Sequence, residues 1–472
     1  MTGLPLSFVL LSLLLVIAAH GHATPKSKLP SLPSKIVQEI QSYQPIADQI
    51  IKYSLTGLGQ NQSYDRLSVF TDKFGGRLSG TKNLEDSIDY MLDALQKDGL
   101  DNVHGEVVNV THWERNTEYA TLLEPRVKDI AISGLGSSVG TGADGITADV
   151  IVVRSFDDLD AHASDVSGKI VVFNQKYVSY PATAGYRVIG ASKASKYGAV
   201  ATLIRSVTPQ SIYSPHTGIQ DYVGNVKKIP TACITVEDAE FFDRIQSRGE
   251  PIRIKLYMGA VNYDMSLSRN TVAEIKGSVF PKQTVLVSGH LDSWDVGEGA
   301  MDDGGGAFIS WQALSIIRSL GLKPKRTVRL VMWTDEEAGG VGSQQYYQKH
   351  RDEANNISIL FESDEGVFTP YGMLFTGSPK AKAVMAQIGK LLQAVNSSEV
   401  YDNGGGTDVQ WWRKDGVPTA SIANHSEKYF WFHHSNGDTM TVLDPVEMNM
   451  CSAVWAVYAY VLADMDELLP RD

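Results

Sequence analysis

Between residues 270 and 465, apolar runs of strand length alternate with apolar stretches of helix length. Three runs are typical of buried strands: QTVLVSGH, RTVRLVMW and SILFE. Two stretches are typical of helices: GAFISWQALSIIRSLG and PVEMNMCSAVWAVYAYVLADM. The second of these has Asp444 in the N-cap position and Pro445 at its first helical position. This alternation predicts an α/β fold in which helices flank a doubly wound sheet.

The N-terminal part of the chain has helical periodicity. Isoleucines recur at helical spacing at Ile36, Ile40, Ile46 and Ile50. This helix belongs either to a propeptide or to the start of the mature chain. The segment NLEDSIDYMLDALQKDGL predicts a second helix, with Gly99 as its C-terminal stop.

The region from about residue 127 to 257 has a different pattern of apolar and polar residues. Four short apolar runs there alternate with loops and one or two helices: DVIVVRS, GKIVVFN, AVATLIRS and TACITV. None of these runs ends in a cluster of acidic residues. The pattern indicates a second, separate α/β domain that lies within the chain of the first.

Composition narrows the class of protein. The chain has 472 residues, 43% of them hydrophobic and 20% charged, which is ordinary for a globular protein of two or three domains. Its net charge of -12 argues against nucleic acid and anionic membrane surfaces as partners. Cys233 and Cys451 each lie in an apolar stretch, so buried free thiols are expected rather than a disulfide.

The first 23 residues have the pattern of a signal peptide. An apolar core from Leu6 to Ala19 is followed by small residues, and no later stretch suggests a membrane span. We therefore expect a protein of the secretory pathway, either secreted or lysosomal. Five N-x-[ST] sequons fit that compartment: Asn61, Asn109, Asn356, Asn396 and Asn424.

The three predicted strands all end in residues that bind metals or move protons. The first ends in His290, with Asp292 two residues on; the second is followed by Glu336 and Glu337, and the third by Asp364. An acidic turn alone is usually just solvated. Three strands that place such residues at the carboxyl edge of one sheet, where ligands bind, point instead to a functional site.

Two further segments complete the pattern. Asp302 and Asp303 precede three glycines and a helix, and His433 and His434 stand side by side before Asp438. Several carboxylates in one cleft would repel one another, and two divalent cations would compensate their charge. Imidazole and carboxylate together suit zinc, so the residues predict a two-zinc hydrolase. One glutamate of the pair would bind metal and the other would take a proton from metal-bound water.

These segments resemble the co-catalytic zinc exopeptidases of the aminopeptidase Y and glutamate carboxypeptidase group. Four motifs stand in that family's order and spacing: SGHLDSWDVGEGAMDDGGG, TDEEAGGVGS, ESDEG and FHHSNGDT. From about residue 60 to the C-terminus the likeness is closer to one member than to the group at large. The resemblance implies a mixed sheet flanked by helices, with an inserted protease-associated-like α/β domain.

The resemblance also implies roles for single residues. One zinc would be held by His290 and Asp364 and the other by Glu337 and His434, with Asp302 bridging them. Glu336 would be the general base, and Asp292 would fix the tautomer of His290. The Asp302–Asp303 peptide bond is expected to be cis. Such relatives are soluble, often dimeric dipeptidases, which implies a small peptide substrate and a homodimer.

The domain boundaries expected from these patterns are then as follows: a signal peptide at 1–23, a candidate propeptide at 24–44, an N-terminal part of the catalytic domain at 45–126, the inserted domain at 127–262 and the catalytic domain at 263–472.

Some points stay open at this stage. Asp335 and Glu365 add negative charge beside the expected ligands, and we expect both to face solvent. His216 is expected to be structural, while the GGGTD segment (404–408) either shapes the pocket or only turns the chain. The residues 429–432 are expected to pack the core or line the pocket.

Three other functions compete with the dipeptidase interpretation. An aminopeptidase acting on longer peptides would use the same site. A glutaminyl cyclase would use one zinc for acyl transfer. A receptor-like binding module would have lost ligands, whereas all five are present here.

Overall fold

The computed structural model of the chain describes residues 29–472, so the expected signal peptide lies outside the described residues. The β-strands are β1 (Asp101–Val110), β2 (Trp113–Glu114), β3 (Glu118–Glu124), β4 (Lys128–Ile130), β5 (Ile132–Gly134), β6 (Ile146–Val153), β7 (Ile170–Phe173), β8 (Ala201–Arg205), β9 (Thr231–Ile234), β10 (Arg253–Met258), β11 (Val261–Asn262), β12 (Ser266–Ile275), β13 (Phe280–His290), β14 (Arg326–Trp333), β15 (Ile357–Glu362), β16 (Pro370–Thr376), β17 (Glu399–Asp402) and β18 (Thr419–Asn424). The α-helices are α1 (Ser34–Ser42), α2 (Gln44–Thr56), α3 (Gln62–Phe74), α4 (Lys82–Lys97), α5 (Phe156–Ala161), α6 (Tyr180–Ser195), α7 (Val236–Ser247), α8 (Gly305–Ser319), α9 (Val341–His350), α10 (Pro379–Gly389), α11 (Tyr429–Phe432) and α12 (Pro445–Asp464).

The described residues form two compact units. The first domain comprises residues 29–110, 266–429 and 438–472, and the second comprises residues 111–265 and 430–437. This second unit begins at 111, before the boundary of 127 expected for the inserted domain, and its first segment ends at 265, close to the expected 262. The reason is that β3, at Glu118–Glu124, pairs along its length with β10, at Arg253–Met258, and so belongs to the second domain.

The first domain is built on an eight-stranded mixed sheet. Its strand order is β1-β12-β14-β13-β15-β18-β16-β17, and the four central strands from β14 to β18 are mutually parallel. The predicted α/β class, with helices flanking a mixed sheet, is confirmed. The three strands predicted to end in functional residues are the adjacent trio β14, β13 and β15, so their carboxyl ends meet at one edge.

Two largely buried helices, α8 and α12, contribute to the core of this domain. In α8, which is the first α-helix after β13, all 13 residues from Gly305 to Ile317 are buried. Helix α12 is apolar and long enough to cross a membrane, but 83% of its apolar window is buried, as expected for a core helix. The predicted N-cap is confirmed, since the Asp444 carboxylate accepts N–H bonds from Val446 and Glu447 at 2.7 and 3.2 Å.

Helix α1 packs against the C-terminal part of the first domain. Ile40 is fully buried, and the Tyr43 hydroxyl donates to Asp464 at 3.0 Å. The Asp466 N–H donates to Glu39 at 2.6 Å. These contacts make α1 an integral part of the domain, while the cleavage of a propeptide at 24–44 stays a prediction.

The second domain contains its own eight-stranded sheet. The strand order is β4-β3-β10-β6-β7-β8-β9-β5, and β6 to β9 run parallel. Two separate apolar clusters, one around Val172 and Leu203 and one around Phe173 and Ile204, pack this sheet. The predicted second α/β domain is therefore present.

The sequons and cysteines differ in how well they match expectation. Asn109, Asn356 and Asn396 are exposed. Asn424 is buried and its side chain donates to the Gly366 carbonyl at 3.0 Å, and glycosylation at any of the sequons stays a prediction. The Asn61 carboxamide accepts from Asn449 at 2.9 Å. Both cysteines are buried and free, as predicted.

Candidate metal centre

Three of the predicted ligands converge within the first domain. The His290 Nε2 atom lies 3.2 Å from an Asp302 oxygen and 3.2 Å from an Asp364 oxygen. The three ligand atoms all lie within 4.8 Å of one another. The Glu336 carboxylate approaches the same nitrogen to 3.9 Å. One imidazole and two carboxylates at this spacing are a donor set that fits zinc.

The tautomer of His290 suits a metal ligand. Its Nδ1 atom lies 2.9 Å from the backbone carbonyl of Asp292, and a carbonyl can only accept a hydrogen bond. Nδ1 therefore carries a proton, and Nε2, which faces Asp302 and Asp364, is the ring nitrogen that would bind a metal.

The Asp292 carboxylate, which we expected to hydrogen-bond the His290 ring, binds backbone N–H groups instead. It lies 3.7 Å from the His290 ring, while its two oxygens accept the backbone N–H groups of Glu336 and Glu337 at 3.1 and 3.3 Å. Burial raises the pKa of Asp292 to about 6. The backbone of Asp292 thus orients the histidine, and its side chain holds the turn that carries both glutamates.

The loop that carries Asp302 is fixed by two other carboxylates. Asp303 accepts the N–H groups of His290 at 2.9 Å and Gly306 at 3.0 Å. Asp438 accepts those of Met301 at 2.7 Å and Asp302 at 3.2 Å. The peptide bond between Asp302 and Asp303 is cis, as expected.

The glycines after this loop are required by close backbone approach. A Cβ atom on Gly306 would lie 2.0 Å from the Ser363 carbonyl oxygen. Any side chain there would push α8 away from the end of β15, and with it the loop that carries Asp302. The GGG sequence is therefore part of the site's architecture.

Arg77 is a structural residue of this edge that sequence reasoning missed. It is fully buried, and its guanidinium donates to the carbonyls of Leu291 at 2.6 Å, Glu298 at 2.7 Å and Gly299 at 2.9 Å. Burial lowers its pKa to about 10. Arg77 thus holds in place the segment between His290 and the Asp302 loop, although it lies more than 200 residues away in the sequence.

We expect Arg77→Met to lower the free energy of unfolding by about 3–5 kcal/mol, because it leaves buried carbonyls without donors. Chemical denaturation of the variant measures this. The exposed Arg248→Met is the matched control and should shift stability by less than about 0.5 kcal/mol. Equal stability of the two variants would contradict the assigned role of Arg77.

Burial and the repulsion between neighbouring carboxylates raise the pKa values of the acidic side chains in the site. The pKa of Glu337 is raised well above its usual range by burial and by Asp302. That of Asp303 is likewise raised well above its usual range, first by burial. Asp335, expected to face solvent, is fully buried, because the end of β14 lies between β12 and β13. Glu365 is exposed, as expected.

The GGGTD segment packs against the glutamate turn. Glu362 accepts the N–H groups of Asp408 at 3.1 Å and Val409 at 2.9 Å, and a Cβ on Gly406 would lie 2.3 Å from its carboxyl carbon. The Thr407 hydroxyl hydrogen-bonds Glu336 and lowers its pKa, while burial raises that pKa more strongly. Of the two alternatives left open by sequence, the segment therefore shapes the site.

We expect Thr407→Val to reduce kcat about tenfold with little change in KM, because Glu336 loses the hydrogen bond that orients it. Thr407→Ser keeps the hydroxyl and should restore most of kcat. Steady-state kinetics of both variants test this. A valine variant with wild-type kcat would show that Glu336 needs no such support.

The segment 430–437 packs within the second domain. The Nδ1 atom of His434 lies 3.2 Å from the Thr217 carbonyl and 3.5 Å from an Arg187 nitrogen. In the tautomer that donates its Nδ1 proton to the Thr217 carbonyl, Nε2 carries the lone pair that a metal ligand needs. His434 as a ligand stays a prediction. Arg187, another residue missed by sequence, is buried beside it.

His216 has a structural role, as expected. Its ring lies 2.6 Å from the His433 carbonyl, and burial lowers its pKa to about 4.

The aromatic residues at 429 and 430, which precede His433 in the sequence, lie in different surroundings. Tyr429 is buried in the first domain, and the ring of Phe430 stacks on that of Tyr180 with 4.8 Å between the ring centres. Burial and the charges of Asp302 and Asp364 raise the Tyr429 pKa well above its usual range, so its hydroxyl stays protonated.

Comparison with known proteins agrees with this geometry. Residues 270–459 match the model of peptidase family M28. The chain is 57% identical to carboxypeptidase Q of Mus musculus and 58% identical to that of Homo sapiens, in each case over 437 residues and 93% of both chains.

Solved structures share the fold. The Shewanella amazonensis peptidase M28 precursor superposes with a TM-score of 0.87 at 31% identity, covering 91% of this chain and 99% of that one. A zinc aminopeptidase from Bacillus subtilis gives a TM-score of 0.65 at 18% identity, covering 86% and 98%, which shows the fold alone.

Proposed function

The chain belongs to peptidase family M28 and groups there with the carboxypeptidase Q proteins, and from this premise we propose that it is a two-zinc dipeptidase. Membership makes it a metalloexopeptidase; the number of metals, the base and the substrate are the proposal. The observation that carries it is the convergence of His290, Asp302 and Asp364 beside Glu336.

The metal-holding roles follow the chemistry of the donors. His290 and Asp364 would hold one zinc and Glu337 and His434 the other, with Asp302 between them. When bound, zinc polarises the scissile carbonyl and lowers the pKa of water toward ~7. The pKa values of Glu337 and Asp303 are raised by burial first and then by neighbouring carboxylates, and a bound cation would offset both effects.

Glu336 is proposed as the general base. It takes a proton from the attacking water as the oxygen–carbon bond forms, and it then gives that proton to the leaving amine as the peptide bond breaks. Its side chain is 13% exposed, so it can reach a substrate while burial raises its pKa toward the working range. Asp292 and Thr407 hold it in place.

The proposed substrates are unblocked dipeptides. The proposed setting is the secretory pathway, with the mature enzyme secreted or lysosomal, and the signal-peptide pattern and the exposed sequons support it. A homodimer is proposed from the family resemblance alone. The relatives are called carboxypeptidases, which fits recognition of a free carboxylate.

The test is cleavage of one dipeptide in free, N-acetylated and C-amidated forms by purified protein with added zinc. We expect only the free form to be cut, because a dipeptidase recognises both termini. Cleavage of the amidated form as well would make this an aminopeptidase. Failure to cut any of the three would contradict the proposed substrate class.

A further inference from the structure

His434, the proposed zinc ligand of the second domain, has an unusual backbone conformation. Its φ angle is 60°, in the left-handed region that residues with a side chain seldom adopt. A residue keeps such a conformation only where its surroundings enforce it, and these conformations cluster at active sites. The contacts that enforce it therefore decide how the imidazole of His434 is presented.

Thr217 binds His434 at two points. The Thr217 N–H donates to the His434 carbonyl at 2.8 Å, and the Thr217 carbonyl lies 3.2 Å from Nδ1 of the His434 ring. A carbonyl only accepts, so the second bond needs a proton on Nδ1 and leaves the Nε2 lone pair for a metal. Thr217 therefore fixes both the backbone of His434 and the orientation of its ring.

His216 makes the matching contact with the residue before His434. Its Nδ1 atom donates to the His433 carbonyl at 2.6 Å, and its Nε2 atom lies 3.3 Å from the Ser214 hydroxyl. The residue is 1% exposed, so water does not compete for these bonds. Two consecutive residues, His216 and Thr217, thus bind the carbonyls of two consecutive residues, and we call this pair the clamp.

The clamp is itself fixed to the sheet of the second domain. The His216 N–H donates to the Ser206 hydroxyl at 2.9 Å, which in turn donates to the Ile234 carbonyl of β9 at 2.7 Å. The Thr217 hydroxyl donates to the Gly134 carbonyl of β5 at 2.7 Å. Because both of its residues are bonded to strands or to a side chain bonded to a strand, the clamp can hold a residue in an unfavourable conformation.

We propose that His216 is a positioning residue, which acts through the clamp to hold His434 with its Nε2 atom oriented to bind zinc. The proposal rests on the proposed role of His434 as a ligand. His216 is not itself a ligand, since it acts on the backbone of His433. A ligand that is already held in its binding orientation loses less freedom when the metal binds, so the clamp raises the affinity for zinc.

The experiment measures the zinc affinity of the full-length protein by competition with a chelator. In His216→Leu, which has no N–H to donate, we expect one of the two zinc ions to bind about ten- to a hundredfold more weakly. His216→Asn can place an amide N–H near the position of Nδ1 and should restore most of the affinity. The matched control is Thr202→Val, which removes the buried bond of 2.7 Å to Thr231 in the same domain and should leave zinc affinity unchanged.

A second measurement needs no metal. In the chelated protein, hydrogen–deuterium exchange should be faster for residues 430–437 in His216→Leu than in the wild type, because their backbone has lost a restraint. In Thr202→Val the exchange of this segment should be unchanged. Exchange of residues 430–437 that is equal in His216→Leu and the wild type would contradict the proposal.

Thr217→Val gives an independent test of the clamp, including the case in which His216→Leu does not fold. It keeps nearly the same volume but loses the bond to Gly134, and we expect zinc to bind about tenfold more weakly. Unchanged zinc affinity in the clamp variants that fold would overturn the proposal.

His434→Ala separates this proposal from the proposed function, because it should remove one zinc site outright. If it does so while the clamp variants keep wild-type affinity, only the clamp is wrong. If His434→Ala keeps both zinc sites, His434 is not a ligand, and the ligand assignment and the clamp are both wrong.

Discussion

Glu336→Gln is expected to reduce dipeptide hydrolysis by about 10⁴-fold while the protein keeps its metal and its fold. The amide has nearly the shape of the carboxylate, but it cannot accept a proton from water. The N–H that Glu336 donates to Asp292 comes from its backbone, so the turn should be undisturbed. Single-turnover kinetics and metal analysis of the same preparation measure both effects.

Two neighbouring variants separate the role of Glu336 from that of its surroundings. Glu365→Gln removes an exposed carboxylate from the same edge and should leave turnover within about twofold. Glu337→Gln removes a proposed metal ligand and should lower metal content as well as activity. If Glu336→Gln retained more than a few per cent of activity, the base would be elsewhere.

Removal of metal is the second large expected effect. A chelator should abolish activity and lower Tm by roughly 10 °C at pH 7.5, because buried carboxylates then lose their compensating charge. The loss of stability should be smaller at pH 5. Added zinc should restore both activity and Tm.

The pH dependence follows from the direction of the pKa shifts in the metal-free protein. Burial raises the pKa of Asp292 to about 6 and, with help from Asp302, that of Asp438 to about 7, whereas carboxyls in the unfolded chain titrate near ~4. The folded form therefore binds more protons between about pH 4 and 7, so its stability falls as pH rises through that window. Thermal unfolding of chelated protein from pH 4.5 to 8 measures this, and a Tm that rises with pH would contradict it.

The central part of the fold was predictable because local patterns and long-range structure agree there. The runs ending in His290, Trp333 and Glu362 are nearly continuous apolar strands, as parallel strands buried on both faces must be. The domain boundary at 110/111 could not be predicted in the same way. The sequence of β3 is that of an ordinary short strand, and only its pairing with β10 assigns it to the second domain.

The residues that support the site were harder to find than those expected to act in it. Ligand types at strand ends have a chemical signature, whereas Arg77 and Asp438 act on backbone groups far away in the sequence. The burial of Asp335 likewise depends on β12 and β13 on either side of its strand. Spacing along the chain contains no record of these contacts.

The role of Asp292 shows the same limit. Its position two residues after His290 suggested a contact with the ring, but its carboxylate reaches the N–H groups of Glu336 and Glu337 instead. Its closeness to His290 in sequence marked Asp292 as part of the site. It did not reveal the hydrogen bonds to Glu336 and Glu337, because these residues follow the neighbouring strand β14.

The measurement that tests the central claim most directly is the metal content of the purified, active protein by mass spectrometry, with activity followed as zinc is added back to chelated enzyme. We predict two zinc ions per chain, and peptidase activity that reaches its maximum only as the second is bound. Full activity with one zinc per chain, or with none, would contradict a two-metal site, and a single zinc would favour the acyl-transfer chemistry of a glutaminyl cyclase.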